Sequence, residues 1–249
     1  MHGEFMPNLR LMHTTSRTVL PEEGDLDLLC RGLMALSRNA GTPQSWFANK
    51  SIFVLKMPTN LPLDAAPPLL CAGITVYSPM KHHQMDVAGK HFGVAGLGGL
   101  GHMAIKFGKA FGMTVTVFST SPSKEKEALK AAAGTVDYII DTVSASHPLD
   151  PYLSTLKLDG KLVMVGIPVK PLSIHAFSLT SERWYVGGSG TGGIKETQEM
   201  LNFCGEHNIT CMIEKIPISY TNTVMERLEK MNVKYHFVID IGNSLKSEN

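Results

Sequence analysis

An α/β fold with a mostly parallel, doubly wound sheet is predicted by three features of the sequence. β-branched runs alternate with helical runs from Ser51 onward, a glycine string joins one strand directly to one helix, and the chain has 249 residues of which 43% are hydrophobic, enough for a real core. With 18% charged residues the composition suits a water-exposed globular surface. The formal net charge of +1 gives no field for nucleic acid or an anionic membrane surface, so neither partner is expected. The longest apolar stretches, such as LLCAGITVY at 69–77, are too short to span a bilayer. MHGEFMPNLRLMHTTSR at the start holds no apolar signal run. Cys30, Cys71, Cys204 and Cys211 form no C-x-x-C pair, so a reducing, cytoplasmic setting is expected.

Residues 1–46 carry scattered charges and turn formers, with LDLLCRGLMAL at 26–36 as a short helical stretch. SIFVLKMP at 51–58 reads as a strand ended by proline. LPLDAAPPLLCAGITVYSPM at 61–80 reads as a loop and a helix, with Asp64 as its N-cap. HFGVAG at 91–96 is a strand, and GHMAIKFGKAFG at 101–112 a helix with Met103, Ile105, Ala110 and Phe111 among its apolar positions. TVTVFST at 114–120 is a β-branched strand, PSKEKEALKAAAG a helix stopped by Gly134, and VDYIIDTV at 136–143 the next strand. KLVMVGIP at 161–168 and WYVGGSG at 184–190 follow as strands, then a helix from Ile194 to Cys204. A helix, TNTVMERLEKMN, and a last strand, YHFVIDI, complete the pattern, with no internal repeat.

The most specific string is Gly96-Leu97-Gly98-Gly99-Leu100-Gly101, placed between a strand and a helix. In that context the G-x-G-x-x-G spacing is the fingerprint of a Rossmann-type dinucleotide site. Gly96 permits the tight turn, Gly98 lets backbone amides approach a pyrophosphate, and Gly101 lets the helix lie against the strand. The helix N-terminus offers unpaired N–H groups and a positive dipole end to the phosphates. An NAD site carries a carboxylate about 20 residues further on. Here that stretch is Phe118-Ser119-Thr120-Ser121-Pro122-Ser123-Lys124, whose hydroxyls and ammonium favour the 2′-phosphate of NADP. The same STSPS string also reads as an ordinary helix cap and turn, and both uses are compatible.

LPLDAAPPLLCAGITVYSPMK and GKHFGVAGLGGLGHMAIKFGKAFGMTVTVFSTSPSKEKEALK resemble the plant cinnamyl alcohol dehydrogenase group of zinc-type medium-chain dehydrogenases. IIDTVSASHPL, GKLVMVGIP, GGSGTGGIKETQEML and HNITCMIEKIPI extend the likeness to FVIDIGN, so that it runs from about Phe47 to Leu245. The group also has mannitol-dehydrogenase-like and 8-hydroxygeraniol-dehydrogenase-like members. The resemblance implies an NADP-dependent alcohol or aldehyde oxidoreductase with a small-molecule substrate and a homodimer paired edge to edge near Trp184–Gly190. Cys71 matches the family's cysteine ligand of a catalytic zinc, although alone in an apolar stretch it also reads as a small core residue. Thr75, Gly166, Ser189 and Gly190 match positions at the nicotinamide end. Ser119, Thr120, Ser121 and Lys124 match the 2′-phosphate pocket, and Thr142 lies in matched cofactor-binding sequence.

The family's remaining zinc ligands, in C-G-T-D-like and G-H-E strings, are missing, as are the proton-relay residues and the four clustered cysteines of its structural zinc. After residue 130 the text jumps to AAAGTVDYIID, as though one strand and helix of about 17 residues were absent. The expected organisation is an unrecognised segment 1–46, a remnant of a GroES-like substrate domain with a linker helix at 47–80, an NADP-binding Rossmann domain at 81–205, and a segment 206–249 returning to the substrate domain. Two functions are compatible with this: an NADP(H)-dependent dehydrogenase, or a binding module that takes up NADP or pairs with a longer relative without turnover. The number of zinc ligands discriminates them, since a catalytic site needs three from the protein. His82 and His83 read as a solvated turn, His102 as helix packing, and Cys204 and Cys211 as free thiols. EMLNF and VMERLEKM read as core-facing helix stripes.

Overall fold

Strand β1 (His91–Ala95) shows no polar alternation because both its faces are covered, and Phe92 to Ala95 are all buried. The computed structural model describes residues 55–118 and 129–244. Around β1 it places β2 (Thr114–Phe118), β3 (Val136–Asp141), β4 (Leu156–Met164) and β5 (Tyr185–Gly188). All neighbouring pairs are parallel, in the order β2-β1-β3-β4-β5. This is the 3-2-1-4-5-6 order of the doubly wound sheet without its outermost strand, so β2 is an edge among the described residues. Its burial is correspondingly poorer, with Thr114 exposed and only Phe118 fully buried.

Helices α1 (Ala72–His82) and α2 (Gly99–Ala110) share an aromatic packing layer, with Tyr77 edge-on to Phe107 at 5.4 Å between ring centroids. A second layer groups Phe118, Val136, Ile139, Tyr152, Leu153 and Leu162. Each large side chain fully buried in these layers contributes roughly 1.5–3 kcal/mol. Short helices α3 (Asp150–Leu153) and α4 (Ala176–Ser181) link the later strands.

The chain divides into two units: one is 72–192, and the other joins the stretch ending at Cys71 to that beginning at Gly193. The second unit holds α5 (Ile194–Glu206), β6 (Ile213–Ile216), α6 (Thr221–Glu229), β7 (His236–Ile239) and α7 (Ile241–Ser244). β6 and β7 form a two-stranded parallel sheet. Ile216, Val224 and Phe237 make its small core, and Arg227 clamps Glu214 through two bonds of 2.6 and 2.8 Å while lying over the Phe237 ring.

Several local expectations are corrected. Leu55–Pro58, the described part of SIFVLKMP, is not a strand; the Gln198 side chain bonds both the N–H and the carbonyl of Lys56. Asp64 caps no helix. It lies in a turn and pairs with Lys215 at 2.8 Å, a contact across the sequence that local capping logic does not foresee. β4 starts at Leu156, five residues early, and its register shifts between Val136 and Tyr138 of β3. On α2 the buried face is Met103, Ala104, Phe107 and Gly108, whereas Ile105, Ala110 and Phe111 are half-buried. The helix at 26–36 lies outside the described residues, as does most of the helix at 122–134, of which 129–131 are helical. Among the described residues no helix is long and apolar enough to cross a membrane.

Candidate functional site

The carboxyl ends of the parallel strands form a continuous hydrogen-bonded row. The Gly96 N–H donates to the Phe118 carbonyl at 3.2 Å, the Thr142 N–H to Ala95 at 3.0 Å, the Gly166 N–H to Asp141 at 3.0 Å, and the Ser189 N–H to Met164 at 3.0 Å. Four residues singled out in the sequence, Gly96, Thr142, Gly166 and Ser189, therefore stand along one edge of one sheet. The strand order switches at β1, with β2 added on one side and β3 on the other, and open α/β sheets bind ligands at such a point.

The glycine turn is built tightly on its inner side and left open on its outer side. Gly96 has φ +86°, a left-handed conformation that disfavours a Cβ, and a Cβ there would meet Thr142 Oγ1 at 2.7 Å. A Cβ on Gly101 would collide with the Gly96 carbonyl. Gly98 is exposed, and a Cβ on it would meet nothing within 4 Å. Gly98 caps α2 without any side-chain bond, which leaves the N-cap position open. Leu97 is half exposed, while Gly99 and Leu100 open the helix. His102 is buried, its Nδ1 bonded to the Gly98 carbonyl at 3.2 Å; burial pushes its pKa down, so the neutral ring donates through Nδ1.

Thr142 fastens the row from behind. Its Oγ1 donates to the Ala95 carbonyl at 2.8 Å, and its backbone packs where a Cβ on Gly166 would fall. Asp141, the last residue of β3, is buried; one carboxylate oxygen accepts the Val143 N–H at 3.0 Å and the other lies 2.9 Å from His147 Nε2. Burial pushes the Asp141 carboxyl up against the opposing pull of Val143 and His147. The sequence reading missed this pair. Its signal was a carboxylate closing the run Tyr138-Ile139-Ile140 at the end of VDYIID, with a histidine six residues on.

Of the other expected site residues, Thr75 is half-buried on α1, and Gly190 follows β5 with open space around it. Ser119, Thr120, Ser121 and Lys124 lie outside the described residues. Cys71 ends a 3-10 helix, Pro67–Leu70, and is exposed, yet the protein mass around its sulfur pushes the thiol pKa up. A zinc ligand needs the thiolate and two protein partners. Among the described residues Cys71 joins no cluster of three metal-binding side chains. The residues described around Cys71 therefore do not complete the family's catalytic zinc site.

Two protein families match parts of the chain: the zinc-binding dehydrogenases over residues 125–206, and the NAD-binding domain of D-isomer specific 2-hydroxyacid dehydrogenases over 73–152. A Medicago sativa protein named "Probable mannitol dehydrogenase" is 60% identical over 212 residues, covering 78% of this chain and 59% of the relative. The structure is similar to a cinnamyl alcohol dehydrogenase of Sorghum bicolor, with a TM-score of 0.72 and 50% identity over 79% of this chain and 61% of that one. A Helicobacter pylori protein named CAD, complexed with NADP(H), follows with a TM-score of 0.67 and 36% identity, covering 78% of this chain and 59% of that one. The chain thus spans about three-fifths of the length of the curated relatives it matches.

Proposed function

We propose that the chain is a member of the plant cinnamyl alcohol dehydrogenase group of medium-chain dehydrogenases, and that the carboxyl edge of its five-stranded sheet binds NADP(H) in the oxidoreduction of small alcohols and aldehydes. The observation that carries this reading is the row Gly96, Thr142, Gly166, Ser189 beside the uncapped start of α2. The first-turn amides of α2 receive the pyrophosphate, and the open face at Gly98 lets it approach the backbone. Gly166, Ser189, Gly190 and Thr75 border the nicotinamide end. Ser119, Thr120, Ser121 and Lys124 take the 2′-phosphate through hydroxyl and ammonium donors. When bound, the dinucleotide supplies the hydride; the protein supplies orientation.

The substrate class is an aromatic or terpenoid alcohol or its aldehyde. The chain pairs as a homodimer through the β5 edge, where Tyr185 is 46% exposed and an unpaired strand flank otherwise invites uncontrolled association. A second reading, cofactor binding with little turnover, is favoured by Cys71 standing without partner ligands among the described residues.

Titration calorimetry with NADPH and NADH tests the cofactor. NADPH is expected to bind more tightly, and Lys124→Glu to weaken NADPH selectively, because a charge-assisted bond to phosphate is worth about 1.5–3 kcal/mol. Equal affinities for the two dinucleotides contradict the assignment. Elemental analysis together with aldehyde-dependent NADPH oxidation separates the two readings: one zinc per chain with rapid turnover rejects the second.

A further inference from the structure

The proton count of the His147–Asp141 pair gives it a role at this edge beyond packing. His147 Nδ1 lies 2.8 Å from the Ala145 carbonyl oxygen, and Nε2 lies 2.9 Å from Asp141 Oδ2. A carbonyl can only accept, so Nδ1 carries a proton. A second proton must lie between Nε2 and Oδ2, since a lone pair facing a carboxylate makes no bond. The pair is therefore neutral overall, with two protons between its members. Three bonds then close on one short loop: Val143 N–H to Asp141, His147 to Asp141, and His147 to Ala145. The Tyr152 ring of α3 packs on the imidazole at 5.6 Å, while the neighbouring Asp150 accepts from Ser178 at 3.3 Å. Among the described residues no lysine or arginine bonds either member of the pair.

We propose that His147 and Asp141 are positioning residues that lock the loop 142–149 and, through Thr142 and Val143, hold the glycine turn in the shape that receives the dinucleotide. Thr142 and Val143 are the atoms a Cβ on Gly96 would strike, and their backbone is what a Cβ on Gly166 would strike, so the turn and the row cannot keep their spacing if the loop moves. This inference rests on the dinucleotide reading of the site.

The test uses the full chain, NADPH fluorescence titration, and hydrogen exchange without cofactor. His147→Ala should weaken NADPH about tenfold, the effect of one lost charge-assisted bond, and speed exchange in residues 96–101 and 142–149. His147→Gln, whose amide can still donate to Asp141, should restore most of the affinity that His147→Ala loses. Unchanged affinity and exchange in His147→Ala, or a His147→Gln variant no better than the alanine, overturns the positioning role. If the unaltered chain binds no NADPH while exchange still rises in both segments of His147→Ala, the cofactor reading fails and the lock stands. If all three proteins bind NADPH alike, the lock fails and the cofactor reading stands.

Discussion

Asp137 and Asp141 stand at opposite ends of the same strand, both buried, and their carboxyls are shifted in opposite directions. At the amino end, burial alone would raise Asp137, but the His91 N–H at 2.8 Å, Lys157 at 2.9 Å and Lys90 at 3.1 Å outweigh it and hold the carboxyl low. At the carboxyl end, burial dominates and Asp141 is raised, with one histidine and one amide to oppose it. The amino end spends its polar bonds on closing the sheet with fixed ion pairs. The carboxyl end leaves the N-cap position of α2 open and keeps a proton-sharing pair behind it. One strand thus has a structural end and a ligand-ready end.

The largest effect is expected from breaking the ligand-ready end. In Gly101→Val the new side chain collides with the Gly96 carbonyl, so NADPH binding should be lost and stability should fall by roughly 1–3 kcal/mol. Calorimetry and thermal melting check both. Gly98→Ala at the open side, with no neighbour within 4 Å in the free protein, should leave stability nearly unchanged yet still impair NADPH binding, because its Cβ occupies the approach of the phosphates.

The aspartates sharpen the comparison. Asp137 is held below its unfolded value of 3.8, so its contribution is present above that pH and disappears as pH falls through the lower folded value. Asp137→Asn should therefore cost about 1–3 kcal/mol at neutral pH and little near the acid limit. Asp141 is raised, so its contribution is fully present below 3.8 and is lost as pH rises through the higher folded value. Asp141→Asn should accordingly be the milder change at neutral pH. Urea melts of both variants at neutral and acid pH separate the two signs; parallel pH profiles would remove the contrast. The smallest effect is expected at Gly134, on the turn before β3. Its φ is +63° with no neighbour for a Cβ, so Gly134→Ala should cost only the backbone strain, roughly 1 kcal/mol, and leave NADPH affinity alone.

The glycine string between VAG and HMAIKF, and the rhythm of apolar strands, made the sheet and its binding edge legible because they are local signals set by backbone sterics. Elements whose reasons are distant were not legible. Asp64 looks like a helix cap, but its partner Lys215 comes from the far end of the chain. Ile213–Ile216 sets two adjacent charged residues between two isoleucines, with no alternation to mark a strand without its neighbour β7. The early start of β4 is hidden by Asp159, which takes φ +61° between Leu158 and Gly160 and reads as a turn. Thr142 was singled out, but not the Asp141–His147 pair beside it, because a six-residue spacing matches no helix or strand period.

Hydrogen exchange of the full chain with and without NADPH tests the central contrast between the two ends of the sheet most directly. The account predicts that NADPH slows exchange in residues 96–101, 142–149 and 165–167, at the carboxyl edge, and leaves residues 132–137 and 156–158 at the amino edge unchanged. Protection at the amino edge, or none at the glycine turn under saturating NADPH, would contradict it.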